Sequence, residues 1–132
     1  MDEINIYASS TDSPKIYPDN NPNYFTIELP EQINLSSKWL ISLTEMYIAD
    51  TINQPFYIYS DICRPSINNE KMEPLLKVIY PDCIHFSSLT YVPINTSYFK
   101  RLRIYIKGGE SRTDSILTKI VHVSLHLMKK YE

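Results

Sequence analysis

The chain has 132 residues, 43% of them hydrophobic, and a formal net charge of -2 at pH 7. That length fits one domain, and that apolar content supports a core burying about two-thirds of the unfolded surface, which excludes wholesale disorder. The slightly acidic balance also excludes a general electrostatic footprint for nucleic acid, so no specific nucleic acid binding is expected.

In chain order, residues 1–22 read as an extended N-terminal arm. Residues 8–23 are rich in Ser, Thr, Asp and Asn, hold Pro14, Pro18 and Pro22, and offer little to a core, so they read as an extended arm or a loop and not as a packed element. A short strand inside the arm, at Ile4–Tyr7, is the one element expected before residue 23. The domain proper then spans residues 23–132. Its strand signals lie at Tyr24–Leu29, Trp39–Ile48, Phe56–Ile62, Leu75–Tyr80, Ile84–Tyr91, Phe99–Ile106 and Leu117–Met128. Turn chemistry separates them: Pro30, Asn53-Gln-Pro55, Asn68-Asn69, Pro81-Asp82, Pro93 and Gly108-Gly109.

The last strand carries the clearest pattern. Val121, Val123, Leu125 and Leu127 fall on one side of an extended chain, and His122, Ser124 and His126 on the other. In Trp39–Ile48 the alternation blurs after Thr44, which fits either a bulge that moves the buried face by one residue or a strand end covered on both sides. Both glycines of the chain stand at Gly108-Gly109, where a tight hairpin is expected. Seven or eight half-buried strands without an amphipathic helix give an all-β fold. The expected architecture is a single jelly-roll β-sandwich of about eight antiparallel strands.

The 11 tyrosines are the compositional oddity. A large ring with a polar tip suits strands and interfaces. Tyr57 and Tyr59 lie opposite the Phe56/Ile58 face, so that strand either exposes aromatics or is covered. Arg101 and Arg103 share a face with Tyr105, flanked by Lys100 and Lys107. This is the one basic cluster, read as a solvated face or as a site for an acidic partner. Tyr57, Tyr59, Arg101, Arg103 and Tyr105 are therefore the candidate subunit-interface residues.

Nothing in the pattern points to catalysis. No GxSxG is present, and two glycines cannot build a phosphate-cradling loop. His122 and His126, four apart on a strand, stand about 13 Å from one another and cannot share one zinc directly; His85 is the third histidine. No cysteine spacing suits a structural metal site, so neither metal nor cofactor is expected. Asp50 and Asp61, at strand ends, read as local caps. Cys63 and Cys83 could form a bridge, though nothing demands it. Met1-Asp-Glu3 is followed by no apolar run, so no signal peptide is expected and reduced thiols are favoured. No apolar stretch is long enough to span a bilayer.

Several segments, taken in order, resemble a known family. They are Asn23-Tyr-Phe-Thr-Ile-Glu-Leu-Pro30, Trp39-Leu-Ile-Ser-Leu-Thr-Glu-Met-Tyr47, Tyr57-Ile-Tyr-Ser-Asp-Ile62 with Pro74-Leu-Leu-Lys-Val78, and Ile120-Val-His-Val-Ser-Leu-His-Leu-Met-Lys-Lys130. Tyr91-Val-Pro-Ile94 and Phe99-Lys-Arg-Leu-Arg-Ile-Tyr-Ile106 stand between the last two. The pattern is similar to the minor capsid, or penton, proteins of Polinton/Maverick elements and adintovirus-like viruses. That family's last strand commonly ends in a Leu-His-Phe-Arg-Arg-like sequence; Leu125-His126-Leu127-Met128-Lys129 stands in its place. The resemblance covers about residues 23–130 and includes no catalytic signature.

It implies a non-enzymatic structural protein of the virion that assembles inside the host cell. Its partners would be further copies of itself, as a homo-oligomer and most simply a pentamer at icosahedral vertices, and a double jelly-roll major capsid protein. The alternative from a different class is a ligand-binding β-sandwich, a carbohydrate- or receptor-binding module, with Tyr57, Tyr59, Asp61 and Asn53 as its candidate patch. An enzyme on a cupin-like scaffold would need converging histidines and a carboxylate, which the sequence does not show.

Overall fold

The computed structural model describes residues 2–68, 71–80, 89–108 and 117–131. Among the described residues ten strands are formed: β1 (Glu3–Ser9), β2 (Tyr24–Asn34), β3 (Trp39–Ile48), β4 (Phe56–Ser60), β5 (Ser66–Asn68), β6 (Lys71–Glu73), β7 (Leu75–Ile79), β8 (Val92–Pro93), β9 (Tyr98–Gly108) and β10 (Val121–Lys129). Sheet A has the order β1-β10-β3-β8 and sheet B the order β2-β9-β4-β7, while β5 and β6 form a separate two-stranded ribbon. Every pairing is antiparallel. The molecule is an all-β sandwich. Among the described residues no helix is long and apolar enough to cross a membrane.

Alternation explains the layers. In sheet A, Ile6, Leu125 and Leu43 lie side by side in the ladder, as do Ile4, Leu127 and Ile41. In sheet B, Phe25 faces Ile104, and Ile58 faces Ile106. These side chains form one apolar cluster between the sheets, with Ile41, Ile58, Leu102, Ile106 and Leu127 fully buried. Sealing two such faces against one another removes apolar surface from water, the main favourable term in folding.

Two irregularities set which side chains face out. In β3, Leu43 pairs with Leu125 but Glu45 pairs with Ser124, leaving Thr44 as the extra residue. Its hydroxyl donates to the Ser124 carbonyl at 3.0 Å. Beyond this bulge the inward residues become Met46 and Ile48, so the loss of phase seen in the sequence is a bulge. In β2, Glu28 pairs with Arg101 and pairing resumes only at Ile33 with Phe99. Pro30, which has no N–H to give, falls in the interruption. The strand therefore continues past the proline where the sequence pattern stopped at Leu29.

The N-terminal segment is not a free arm. Residues 3–9 are the edge strand of sheet A, and Ile6 and Ala8 enter the core. Residues 10–23 then fold along the outer edge of β2. Asn20 accepts from the Thr26 N–H at 2.9 Å and donates to the Thr26 carbonyl at 2.7 Å; Ser13 Oγ accepts from the Glu28 N–H at 3.0 Å. Side chains thus satisfy a sheet edge that would otherwise invite pairing with another chain. The strand expected at Ile4–Tyr7 is present within β1, and residues 10–23 form a loop, one of the two readings their composition left open; its polar edge contacts lack the apolar periodicity that marks packed elements.

One further correction follows from pairing. Residues 117–120 precede β10 instead of extending it. Asn23 donates to the Leu117 carbonyl and accepts from its N–H, both at 2.8 Å, while Asp50 accepts from Thr118 and Lys119. β9 and β10, the described strands on either side of Gly108-Gly109, lie in different sheets and do not pair with one another; the hairpin expected at Gly108-Gly109 falls in part outside the described residues. Cys83, His85 and most of the expected Ile84–Tyr91 strand lie outside the described residues; Leu89–Tyr91 are not in a strand.

Candidate functional site

The richest array of polar side chains lies on sheet B, where β2 and β9 part after the Glu28–Arg101 pair. The loop before β2 supplies the first wall. Ser13 has φ 52°, left-handed backbone that costs a non-glycine residue roughly 1–2 kcal/mol. Its carbonyl accepts from the Tyr17 N–H at 2.9 Å and its hydroxyl holds the Glu28 N–H. This strained corner brings Tyr17 over β2, where its hydroxyl donates to Glu28 Oε2 at 2.7 Å. That bond holds the Tyr17 hydroxyl above its ordinary pKa, against the nearby Arg101 guanidinium.

The opposite wall comes from the end of β4 and the start of β9. Asp61 Oδ1 accepts from the Arg103 N–H at 3.0 Å. Burial raises the pKa of its carboxyl, while that N–H and the Arg103 charge pull it down. Thr96 Oγ1 donates to the Tyr98 carbonyl at 2.8 Å, fixing the chain entering β9. Together with Gln32, Ile62, Phe99 and Lys100, these residues enclose an open groove of about 520 Å³, within the range of about 300–1,000 Å³ usual for small-ligand sites.

Beside the groove, the outer face of sheet B carries a row of rings. Tyr24, Tyr105 and Tyr59 are neighbours across three strands. Tyr59 stacks on Tyr105 with centroids 4.9 Å apart and planes 12° apart; Tyr24 sits 6.1 Å from Tyr105. Arg103 lies 5.3 Å over the Tyr24 ring and Lys107 6.0 Å from the Tyr59 centroid. Tyr59 donates to Glu73 Oε2 at 3.0 Å, which ties the β5–β6 ribbon to this face.

The five residues singled out from sequence are thus on one face, but in different states. Arg101 is exposed and enters the groove; Arg103, Tyr105 and Tyr57 are half-buried. Tyr59 is only 2% exposed, so its ring is committed to internal packing and offers no surface to a partner. Nor do Tyr57, Tyr59, Asp61 and Asn53 make a shared patch. Tyr59 is buried, and Asn53 lies beyond the end of β4 opposite to Asp61. Tyr17, Glu28, Gln32 and Tyr98 escaped the sequence reading. The one available signal was an aromatic residue, Tyr17, in an otherwise apolar-poor segment.

The outer face of sheet A holds a second polar array. His126 binds Tyr91 Oη through Nδ1 at 2.8 Å and Glu3 Oε1 through Nε2 at 2.7 Å. Ser42 is the cross-strand neighbour of His126, yet it is fully buried and its hydroxyl has no hydrogen-bond partner. With both ring nitrogens engaged, His126 has no atom left to activate Ser42, so a Ser–His–Glu hydrolase arrangement is absent here. Among the described residues no three His, Cys, Asp or Glu side chains converge as metal ligands. Cys63 is a free, buried thiol whose pKa burial pushes up to about 12, the opposite of an activated nucleophile. No protein-family model matches this sequence, and neither does any curated protein.

Proposed function

We propose that the chain is a non-enzymatic structural protein, a minor capsid or penton subunit of a DNA virus or virus-like transposon. The observation that carries this reading is the strand order. Set aside the β5–β6 ribbon and eight strands remain, in two sheets of four, ordered β1-β10-β3-β8 and β2-β9-β4-β7. Along the chain, each step but β4 to β7 crosses from one sheet to the other. That path supports reading the sandwich as a jelly roll, an architecture that viral capsid proteins use repeatedly. Jelly rolls also serve lectins, so the order alone does not choose between the two; the segment-by-segment resemblance favours the capsid.

The surface supports an assembling subunit. Tyr7 is 74% exposed and Tyr47 62% exposed, both on the outer face of sheet A. Aromatic residues in such positions suit subunit contacts, where they bury large area at small entropic cost. The vertex role implies a homo-oligomer, most simply a pentamer, with a double jelly-roll major capsid protein around it, inside the virion.

Light scattering behind a sizing column, across a concentration series, tests this. The expected result is a discrete species near five times 15.5 kDa, by the protein alone or on co-expression with the major capsid protein. A monomer under both conditions overturns the vertex reading. A discrete trimer overturns the pentamer and keeps the structural role.

A further inference from the structure

The groove between β2 and β9 has a composition that selects for one class of ligand. Glu28 and Asp61 bring two carboxylates, Arg101 and Lys100 two cations, and all four line the same 520 Å³. A singly signed ligand, such as a phosphate or an ammonium group, meets repulsion from one half of that set. A sugar does not. Each hydroxyl both donates and accepts, so one polyol satisfies carboxylates, a guanidinium and an ammonium together. Gln32 and Thr96 add neutral partners of the same dual kind.

The aromatic residues complete the match. Tyr98 is 61% exposed and Tyr17 half-buried at the groove. Tyrosine offers an apolar face to the C–H side of a pyranose and a polar tip to its hydroxyls. Both residues are held in advance: the Tyr17 hydroxyl by Glu28 at 2.7 Å, and the Tyr98 backbone by Thr96 at 2.8 Å. The Tyr17 side chain therefore has little freedom left to lose on binding, and the exposed Tyr98 ring stands on a fixed backbone. The left-handed Ser13 fixes the corner that sets Tyr17 in place, its carbonyl accepting from the Tyr17 N–H and its hydroxyl from the Glu28 N–H.

We propose that this groove is a carbohydrate-binding site for a neutral glycan, with one pyranose ring lying against Tyr98 and its hydroxyls shared among Glu28, Asp61 and Arg101. The proposal is independent of the vertex reading, because every residue in it comes from one chain.

The test is a titration of the 15N-labelled full chain with lactose, chitobiose, cellobiose and maltose, followed by amide shifts, with inorganic phosphate in parallel. At least one disaccharide is expected to shift amides of residues 17, 28, 61 and 98–101, with an affinity in the millimolar range, roughly 4 kcal/mol. Tyr98→Ala and Gln32→Ala alter exposed side chains and should each weaken binding, the former by about tenfold or more; Tyr47→Ala, on the other sheet, should leave it unchanged. The wild-type amide pattern outside the groove reports that each variant is folded. No shift with any of the four sugars overturns the proposal, as do shifts confined to other surfaces. If phosphate shifts the same amides and displaces the sugar, the groove is an anion site and the assignment falls.

Discussion

The two sheets present tyrosine to the outside in opposite ways. On sheet B, Tyr24, Tyr105 and Tyr59 form a continuous row, capped by Arg103 and Lys107 and bound to the β5–β6 ribbon through Glu73. On sheet A, Tyr7 stands 74% exposed, and Tyr47 touches only the ring of His122 among its described ring contacts, with centroids 6.1 Å apart. Tyr59, 2% exposed, is internal structure, whereas Tyr7 and Tyr47 stand at the surface, and Tyr24, at the end of the sheet B row, remains 44% exposed. Outward direction on a strand is therefore a poor guide to availability. What decides it is whether neighbouring groups close over the ring, as Tyr105, Lys107 and Glu73 gather around Tyr59. For the proposed subunit contacts, burial sets Tyr59 aside, and the exposed Tyr7 and Tyr47 join the candidates.

The largest effect tests how far sheet A depends on its edge. Deleting residues 1–22 removes β1 with Ile6 and Ala8, uncovers β10, and strips the side-chain partners from the edge of β2. The expected loss exceeds about 5 kcal/mol, comparable with the whole stability of a small domain. Circular dichroism should show no cooperative unfolding transition. A truncated chain that unfolds cooperatively at a similar urea concentration would restore the segment to the status of a dispensable arm.

Next in size is the direct contrast between faces. Tyr59→Ala removes a buried ring, its stack on Tyr105 and its bond to Glu73, and should cost about 3–5 kcal/mol in urea unfolding. Tyr7→Ala, on the exposed face, should cost under about 1 kcal/mol. Equal losses at the two positions would abolish the distinction drawn between the sheets.

How much of this was legible in the sequence differs by element. Val121 to Leu127 declared their faces because period-two alternation is imposed by strand geometry itself. The blurred phase after Thr44 marked a real bulge. Residues 10–23 could not be read, because their contribution is hydrogen bonds from Asn20 and Ser13 to a strand edge, and single side-chain contacts leave no periodic trace. The groove was invisible for a related reason. Tyr17, Glu28, Asp61 and Tyr98 are far apart in sequence, and only the parting of β2 from β9 brings them together. Arg101 was singled out, as an interface candidate, since it sits on a strand with a visible face, whereas the burial of Tyr59 among Tyr105, Lys107 and Glu73 depends on residues from two other strands and leaves no pattern along its own.

A pH series reports on the groups that burial keeps protonated into the alkaline range. Burial pushes the Cys63 thiol up to about 12, whereas the unfolded chain ionises near the ordinary 9.0. Between those values the folded protein keeps a proton that the unfolded chain gives up. Stability is therefore fully present below pH 9 and declines as pH rises toward 12, by about 1.4 kcal/mol per pH unit from this group. Tyr105, raised chiefly by burial, acts in the same direction at the alkaline end. Urea unfolding at several pH values checks it: Cys63→Ala should flatten the decline between pH 9 and 11 even if the lost side chain lowers stability throughout. An unchanged slope would mean that the thiol is not the group responsible.

The smallest effect probes whether sheet A is as unorganised as the contrast implies. Tyr91→Phe deletes one hydroxyl and leaves His126 Nδ1 without its 2.8 Å partner, while the Glu3 bond at Nε2 persists. A single hydrogen bond in a partly buried setting is worth about 0.5–1.5 kcal/mol net, and the phenyl ring can keep its edge-on contact with the imidazole, centroids 5.8 Å apart. Glu3→Gln should cost less still, because that carboxylate is 68% exposed and screened by water. Combining the two in a double-mutant cycle asks whether Glu3, His126 and Tyr91 act as a unit. Additive losses would mean that the chain of contacts is two separate bonds on an otherwise free face. A coupling above about 0.5 kcal/mol would make it a cooperative network, and sheet A would then hold a fixed array of its own beside the exposed Tyr7 and Tyr47.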